Sequence, residues 1–401
     1  MRIGVDASCW ANQRGYGRYT RELLTALLAL DQQNQYQFFI DDQSARQADG
    51  LPPGVSLVKV ATSQAATQAA SASGRRSLRD LWAMRQAVHW HGSDLDLFYF
   101  PSVYTYFPPR TRARVIVTIH DTTAERYPRL IFPNRRSQLF WKLKVRLAVR
   151  RADLIATVSQ ASRREIVKEF GVPEERVSVI SDAVGAEFCP LGEDAPTSEV
   201  IARYGVNPDE PFILYVGGIS PHKNLHTLVD AHASLVQDWG APAPNLVLVG
   251  DYQKDVFFSS YTSLRERVNN RGTGGKVVFT GFVDDDDLRY LYNGASALVM
   301  PSFDEGFGLP ALEAMACGTP VIASNAGALP EVVGDAGRLF SPHSSQELKE
   351  HLATVLGDRL VHDAMRRMGL QRAREFSWER SAQAALTVFG RLGRKLEPAT
   401  A

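Results

Sequence analysis

Two α/β domains, each a parallel sheet flanked by helices, are the fold class this sequence predicts, and three observations predict it. Apolar runs of four to six residues alternate with segments of helical period throughout, which is the pattern of strand–helix–strand units. The alternation breaks over residues 182–210, which lack sustained periodicity and carry Pro190, Pro196 and Pro208, with Pro211 just beyond; it then restarts. The length of 401 residues leaves each half enough chain for its own core.

In the first half the strand candidates are 2–6, 36–40, 56–60, 96–100, 114–119, 154–158 and 177–180. The second half offers 212–216, 245–249, 276–279, 297–300 and 320–323. The expected domains are therefore 1–190 and 205–375, with the linker between them. Two such sheets face one another across a cleft at the carboxyl ends of their strands, where sheets of this kind bind ligands. Residues 61–77, ATSQAATQAASASGRRS, have low complexity and few bulky apolar groups, so they read as a mobile loop.

Composition excludes several classes. Hydrophobic residues make up 44% and charged residues 22%, as in ordinary globular proteins. No run of 18 apolar residues exists, and the chain goes straight into the strand pattern MRIGVDAS, so neither a membrane span nor a signal peptide is expected. Cys9, Cys189 and Cys317 are far apart and form no metal-binding spacing, which points to a reducing, cytoplasmic setting. Net charge is +1, but residues 1–190 carry 26 basic against 18 acidic groups and residues 191–401 carry 19 against 26. The halves are thus +8 and −7, and the basic half is the one suited to an anionic partner.

The chemistry concentrates in residues 303–320, FDEGFGLPALEAMACGTP. Glu305 stands beside a GFG turn that joins the apolar run 297–300 to a helix, and Glu313 lies one turn into that helix. Pro310 sits where its missing N–H costs nothing. The amides from Gly306 to Leu309 open a helix N-terminus and suit an anionic phosphate. A carboxylate beside them can accept hydrogen bonds from vicinal hydroxyls. Phosphate together with polyol describes a nucleotide sugar.

These residues, with IGVDA, GYGRYTREL, VTIHD, ATVSQASRREI, ILYVGGISPHKNL, LVLVG and FTGFVDDDDLRYLYNGA in that order, resemble the retaining glycosyltransferases of GT-B fold. The resemblance is to the large mannosyl- and glucosyltransferase family that includes the phosphatidylinositol mannosyltransferases, and it covers nearly the whole chain. It implies two Rossmann-like α/β/α domains with a deep cleft between them, and a last segment, 376–401, that packs back on the first domain.

The resemblance also implies roles. Glu313 grips the donor ribose, and Glu305 holds hydroxyls of the transferred sugar, with the amides of Gly306, Phe307, Gly308 and Leu309 alongside. Lys223, expected at the start of a helix beginning near Asn224, pairs with the donor pyrophosphate. The family usually places an arginine where this chain has Gly218, so either His222 or Arg18 is a candidate replacement cation, or donor binding is weaker. Gly15-Tyr16-Gly17 implies a loop over the donor phosphate or the acceptor, although a plain tight turn explains it as well. The base is expected near Gly250, Phe282 and Val283. His120, ending the strand before Asp121, contacts a sugar hydroxyl or serves as a general base, the former favoured. Ser159 and Arg163 are weaker candidates, since capping of a helix by Ser159 explains their pattern equally.

Asp284–Asp287 immediately precedes LRYLYNGA and reads as the capping and first-turn acids of a helix; neither a metal nor a cofactor is expected. Residues 126–152 carry nine basic side chains and no acid, interleaved with Phe132, Leu139, Phe140, Trp141, Leu143 and Leu147. That segment is either a contact for an anionic membrane or a lipid-linked acceptor, or an amphipathic helix with its apolar stripe in the core. Nucleic acid is not expected, because no recognition motif accompanies the charge. The reading is a retaining transfer of a hexose to a glycan or lipid-linked acceptor. GDP-mannose is the first expected donor, because the IHD and GGISPHKN patterns look closest to mannosyltransferases. The alternatives are a UDP-sugar glucosyl- or N-acetylglucosaminyltransferase, a non-hydrolysing nucleotide-sugar epimerase, and an inactive sugar-nucleotide binding module.

Overall fold

The computed structural model describes residues 1–12, 14–48, 50–66, 77–239, 242–251 and 259–393. Residues 67–76 of the expected mobile loop and residues 394–401 of the C-terminal segment lie outside the described residues. The chain divides into two units. The first comprises Met1–Asp182 and, from Ser377, the helix Trp378–Gly393; the second is Ala183–Phe376.

The first unit holds a seven-stranded sheet: β1 Arg2–Asp6, β2 Gln35–Asp41, β3 Ser56–Val60, β4 Leu97–Phe100, β5 Arg114–Thr118, β6 Leu154–Thr157 and β7 Val177–Val179, in the order β3-β2-β1-β4-β5-β6-β7. Every pairing is parallel, with β1 between β2 (Ile3 opposite Tyr36) and β4 (Ile3 opposite Leu97). The central strands are buried along their length, as a sheet covered on both faces requires. Phe39, Phe98, Phe100 and Phe107 pack with ring centroids 4.9 to 6.2 Å apart and fill one side of the sheet. The helix Trp378–Gly393 packs on the helix Gly15–Leu30, burying Ala382, Ala385, Val388 and Phe389. Ser381 fastens it by donating to the Ser181 carbonyl at 2.7 Å.

The second unit holds six strands: β8 Phe212–Val216, β9 Asn245–Val249, β10 Val277–Gly281, β11 Ala297–Met300, β12 Val321–Ser324 and β13 Arg338–Phe340, in the order β10-β9-β8-β11-β12-β13. All pairings are again parallel. In both sheets the strand order reverses at the middle, between β1 and β4 and between β8 and β11. The carboxyl ends of those strands are the places where such sheets take ligands.

Two differences from the sequence reading concern boundaries. The second unit begins at Ala183, and the stretch expected as linker contains a helix, Thr197–Arg203. Val200 and Ile201 bury against the helix Asp285–Gly294, and a Cβ on Gly294 would stand 2.4 Å from Ile201 Cδ1. That helix is too short for its period to show in sequence. The strand β13 was likewise not anticipated, since RLF has no apolar run; its pairing to β12, Ile322 opposite Arg338, makes it a strand.

Candidate active site

In the second unit, the turn after β8 and the turn after β11 meet. The Lys223 ammonium donates to both oxygens of Glu305, at 2.8 and 3.0 Å, and the Ser302 hydroxyl donates to Oε1 of the same carboxylate at 2.6 Å. The backbones are tied as well, Phe303 N–H donating to the His222 carbonyl at 3.0 Å. Lys223 and Glu305 stand at the two sides of the strand-order reversal, which is where a ligand of such a sheet sits.

Lys223 is not at the start of a continuous helix. Pro221–Lys223 forms a short 3-10 turn, Asn224 takes a left-handed φ of 56°, and the helix runs Leu225–Trp239. Asn224 tolerates this conformation because its short polar side chain bonds locally. Its amide donates to the Pro301 carbonyl at 3.0 Å and the Pro342 carbonyl at 2.7 Å, while its oxygen accepts from the Thr227 hydroxyl at 2.9 Å. One buried asparagine thus joins the ends of β8, β11 and β13 and sets the direction in which Lys223 leaves its turn.

On the other side of Glu305, Gly327 adopts a φ of +58° and lies so close that a Cβ there would stand 2.5 Å from the Glu305 nitrogen and 2.6 Å from its carbonyl oxygen. Ala328 N–H donates to that carbonyl at 2.9 Å. Gly308 also needs its glycine: φ is +104°, and a Cβ would meet Leu329 at 2.6 Å. From Gly308 the helix Leu309–Cys317 begins, with Pro310 in its first turn. In that turn Ala311 N–H donates to the Gly308 carbonyl at 3.0 Å. Phe307 is buried, its ring 5.6 Å from Phe376, so it anchors the turn rather than presenting a side chain.

Glu313 lies one turn into the helix Leu309–Cys317. It is 2% exposed, and Tyr292 of the helix Asp285–Gly294 donates to its Oε2 at 2.7 Å. Packing of the helices Asp285–Gly294 and Leu309–Cys317 brings the Glu313 carboxylate to the Tyr292 hydroxyl. The expectation for His222 is corrected. It is buried with Nδ1 3.2 Å from the Ser220 hydroxyl, and burial, then the Lys223 charge, push its pKa down to about 3. A histidine that is neutral near pH 7 cannot replace an arginine as a phosphate cation. At the Gly217-Gly218 turn itself, the Tyr215 hydroxyl donates to the Gly218 carbonyl at 2.8 Å.

The ends of β8, β9 and β10 adjoin one another. Gly250 approaches Gly217 so closely that a Cβ would stand 2.1 Å from its carbonyl oxygen, and Gly250 N–H donates to the Gly281 carbonyl at 3.0 Å. Phe282, next in the chain, is 58% exposed, whereas Val283 is buried. Asp284 caps the helix Asp285–Gly294 by accepting from Asp287 N–H at 2.9 Å, and Asp287 accepts from the Tyr204 hydroxyl at 2.7 Å. Among the described residues no group of three or more His, Cys, Asp or Glu side chains is arranged to hold a metal ion.

In the first unit, His120 follows β5. Both ring nitrogens are buried without a hydrogen-bond partner, and the ring stands edge-on to Tyr19 with centroids 5.0 Å apart. Burial lowers its pKa to about 4 against the opposing pull of Asp121. A neutral imidazole offers one donor and one acceptor, which fits a hydroxyl and makes a poor proton acceptor at pH 7. Gly15 starts the helix Gly15–Leu30, and Gly17 needs its glycine because a Cβ would meet the Asn12 carbonyl oxygen at 1.9 Å. Tyr16 between them stacks on Tyr104 with centroids 4.8 Å apart. Ser159 caps the helix Gln160–Phe170, accepting from Ser162 N–H at 3.0 Å.

Ser302, Asn224 and Gly327 are the residues of this geometry that the sequence did not single out. Ser302 had a signal, a hydroxyl three residues before Glu305; Asn224, next to a candidate lysine, is a residue that accepts left-handed backbone.

Comparison with known proteins bears on this arrangement. Residues 14–188 match the family model of Glycosyltransferase Family 4, and residues 197–375 match that of Glycosyl transferases group 1. The chain is 32% identical to O-antigen chain mannosyltransferase B of Escherichia coli over 314 residues, 78% of this chain and 77% of that protein. It is 35% identical to the serotype-specific mannosyltransferase WbdA of Escherichia coli over 242 residues, 60% of this chain but only 29% of WbdA. Among solved structures, sucrose-phosphate synthase from Thermosynechococcus elongatus superimposes with a TM-score of 0.74 at 20% identity, covering 98% of this chain and 99% of that one. HepE of Anabaena, solved with UDP-glucose, gives 0.72 at 20% identity over 97% and 99%. Two parallel sheets that share one strand order over six strands, matches to both glycosyltransferase family models and a relationship to a mannosyltransferase over 78% of this chain lead to one conclusion: the chain belongs to the GT-B glycosyltransferases.

Proposed function

We propose that the protein transfers a hexosyl unit, mannose from GDP-mannose in the first instance, to a hydroxyl of a glycan or lipid-linked acceptor with retention of configuration. The observation that carries the reading is the Lys223–Glu305 pair, held at 2.8 Å at the carboxyl ends of β8 and β11. The mannosyl reading is supported by the names of the two relatives with 32% and 35% identity. UDP-glucose bound in a protein of the same fold supports a nucleotide sugar as the donor class.

Lys223 pairs with the donor diphosphate and stabilises the charge that develops on it as the bond to the sugar breaks. The amides opening the helix Leu309–Cys317 assist. Glu305 accepts hydrogen bonds from hydroxyls of the sugar. Already carrying three hydrogen bonds, from Lys223 twice and Ser302 once, it is a poor nucleophile toward the anomeric carbon. The reaction is therefore assigned to same-face displacement: the anomeric C–O bond to phosphate breaks, a C–O bond to the acceptor oxygen forms, and the acceptor proton passes to the leaving diphosphate. Phe282, exposed beside the Gly250–Gly281 contact, stacks on the base. Glu313, its carboxylate oriented by Tyr292, accepts from the ribose diol. His120 offers its neutral ring to a sugar hydroxyl, and no step is assigned to metal held by Asp284–Asp287.

Thermal shift against a panel of nucleoside diphosphate sugars tests the donor, since a bound ligand raises the melting temperature by mass action. Incubation of the stabilising donor with an acceptor, read by NMR of the anomeric proton, tests transfer and retention, and Glu305→Gln is expected to abolish both turnover and donor hydrolysis. A nucleotide sugar epimerised without acceptor, or an inverted product, overturns the reading.

A further inference from the structure

The helix Arg135–Arg151 turns two different faces outward and inward. Toward the first sheet it buries Val145, Ala148 and Val149, and the half-buried Trp141 donates its indole N–H to Glu125 at 2.7 Å. Lys144 lies over the Trp141 ring and donates to the Tyr104 carbonyl at 3.1 Å. The stripe that packs this helix is complete with those residues.

The opposite side nevertheless presents Leu139 at 69%, Phe140 at 72%, Leu143 at 55% and Leu147 at 39% exposure. Leu139, Leu143 and Leu147 recur every fourth residue and so form one row along the helix, with Phe140 beside it. Arg135, Arg136, Lys142, Arg146 and Arg150 are exposed around that row, and the helix contains no acid. An apolar row standing in water among cations is the composition of a helix that lies in a membrane interface. Folding gives no reason for these four side chains.

We propose that this face docks on a lipid surface bearing anionic headgroups, with the row from Leu139 to Leu147 seated at the boundary of headgroups and acyl chains and the arginines on lipid phosphates. Charge complementarity selects this occupant. A second copy would set like charge against like, and a nucleic acid would leave the apolar row in water. Because Trp141 and Lys144 carry the inner side of the same helix onto Glu125 and Tyr104, the docked surface lies about one helix diameter, roughly 10 Å, from the residues that follow β4 and β5. The inference stands on exposure and charge and does not depend on the transfer reaction.

The test is sedimentation of the full chain with vesicles of phosphatidylcholine alone and of an equimolar mixture with phosphatidylglycerol. Each cation near an anionic surface is expected to strengthen binding about fivefold. The wild type partitions onto the mixed vesicles, and Arg136→Glu with Arg146→Glu lowers that more than tenfold, as does Leu139→Gln with Phe140→Gln. Nucleotide binding, measured on the same preparations, stays unchanged, which separates this result from a failure of the donor reading. Phe140→Trp, an aromatic exchange at an exposed site, is quenched by brominated acyl chains in the mixed vesicles. Equal partitioning onto neutral vesicles, retention of binding by either double variant, or an unquenched Trp at 140 overturns the proposal. So does a concentration-dependent dimer that both double variants abolish.

Discussion

The Lys223–Glu305 pair gives a prediction whose size follows from its surroundings. The two side chains are 21% and 12% exposed, so water screens them little, and two charge-assisted bonds of 2.8 and 3.0 Å join them. Lys223→Met removes both and leaves the carboxylate with Ser302 alone. Breaking a fully buried pair costs about 3–5 kcal/mol; with partial exposure and one donor remaining, about 2 kcal/mol is expected. Glu305→Gln keeps an acceptor for Ser302 but strands the ammonium, at about 1–2 kcal/mol. The double variant is expected to cost little more than the larger single, a coupling of about 1–2 kcal/mol. Urea denaturation of the four proteins measures this. The donor site makes a second and opposite demand. Without Lys223, nucleoside diphosphate affinity falls at least about tenfold, roughly 1.4 kcal/mol. With Glu305→Gln it holds or rises, because the lysine is released to the phosphate, while sugar transfer is lost. Additive stability costs, or equal loss of diphosphate affinity in both single variants, would falsify the reasoning.

Further outcomes follow from the same structure. Asn224→Gly keeps the left-handed backbone but deletes the bonds to Pro301 and Pro342; kcat is expected to fall about tenfold, about 1.4 kcal/mol of barrier, in steady-state assays with saturating donor. Burial raises the Glu125 pKa to about 7, so its carboxyl takes up protons in the folded chain between about 4.5 and 7; Glu125→Gln should stabilise by about 1–2 kcal/mol at pH 8.5 and by nothing at pH 4.5, read from urea midpoints. His120 shifts the other way: its folded value of about 4 lies below the unfolded value near 6.5, so stability is lost as pH falls through that window, by up to about 1.4 kcal/mol per pH unit. His120→Gln should flatten that slope, and an unchanged slope would show that the imidazole is not buried neutral.

Much of the fold was legible because parallel strands buried on both faces are written as apolar runs. Phe212–Val216, Asn245–Val249 and Ala297–Met300 appear in the sequence with the limits they have in the structure. Arg338–Phe340 was not legible, since three residues with an arginine gain their strand conformation only from β12. At the site, Glu305 and Lys223 were visible as chemistry, but what holds them together was not. A left-handed Asn224 and a close-packed Gly327 are backbone facts, and residue type permits them without announcing them. Glu313 shows the same limit. Its place in the motif suggested a ligand-binding carboxylate, but nothing there announced the Tyr292 hydroxyl across the helix pair that orients it. The basic helix was ambiguous for a third reason: periodicity says that a face is apolar, but only packing says which apolar residues the core has already claimed.

The charge balance at the end of β8 has a consequence for how the donor is held. Gly218 stands where the family resemblance implies an arginine, and burial pushes the His222 pKa down to about 3, so the turn after β8 supplies Lys223 as its cation. That lysine is already paired with Glu305, and a diphosphate entering the site exchanges one ion pair for another instead of adding one. The net Coulombic gain is small. On the proposed function, affinity beyond the Lys223 contact comes from oriented amides and from the base on Phe282, neither of which salt screens strongly. Raising ionic strength from about 0.05 to about 0.5 M should weaken nucleotide binding by no more than about threefold. Phe282→Ala should weaken it by about 1–2 kcal/mol, the range of aromatic stacking on a base. Calorimetric titration of a nucleoside diphosphate measures both, and a steep salt dependence would mean that a further cation reaches the phosphates and that Lys223 does not carry the charge alone.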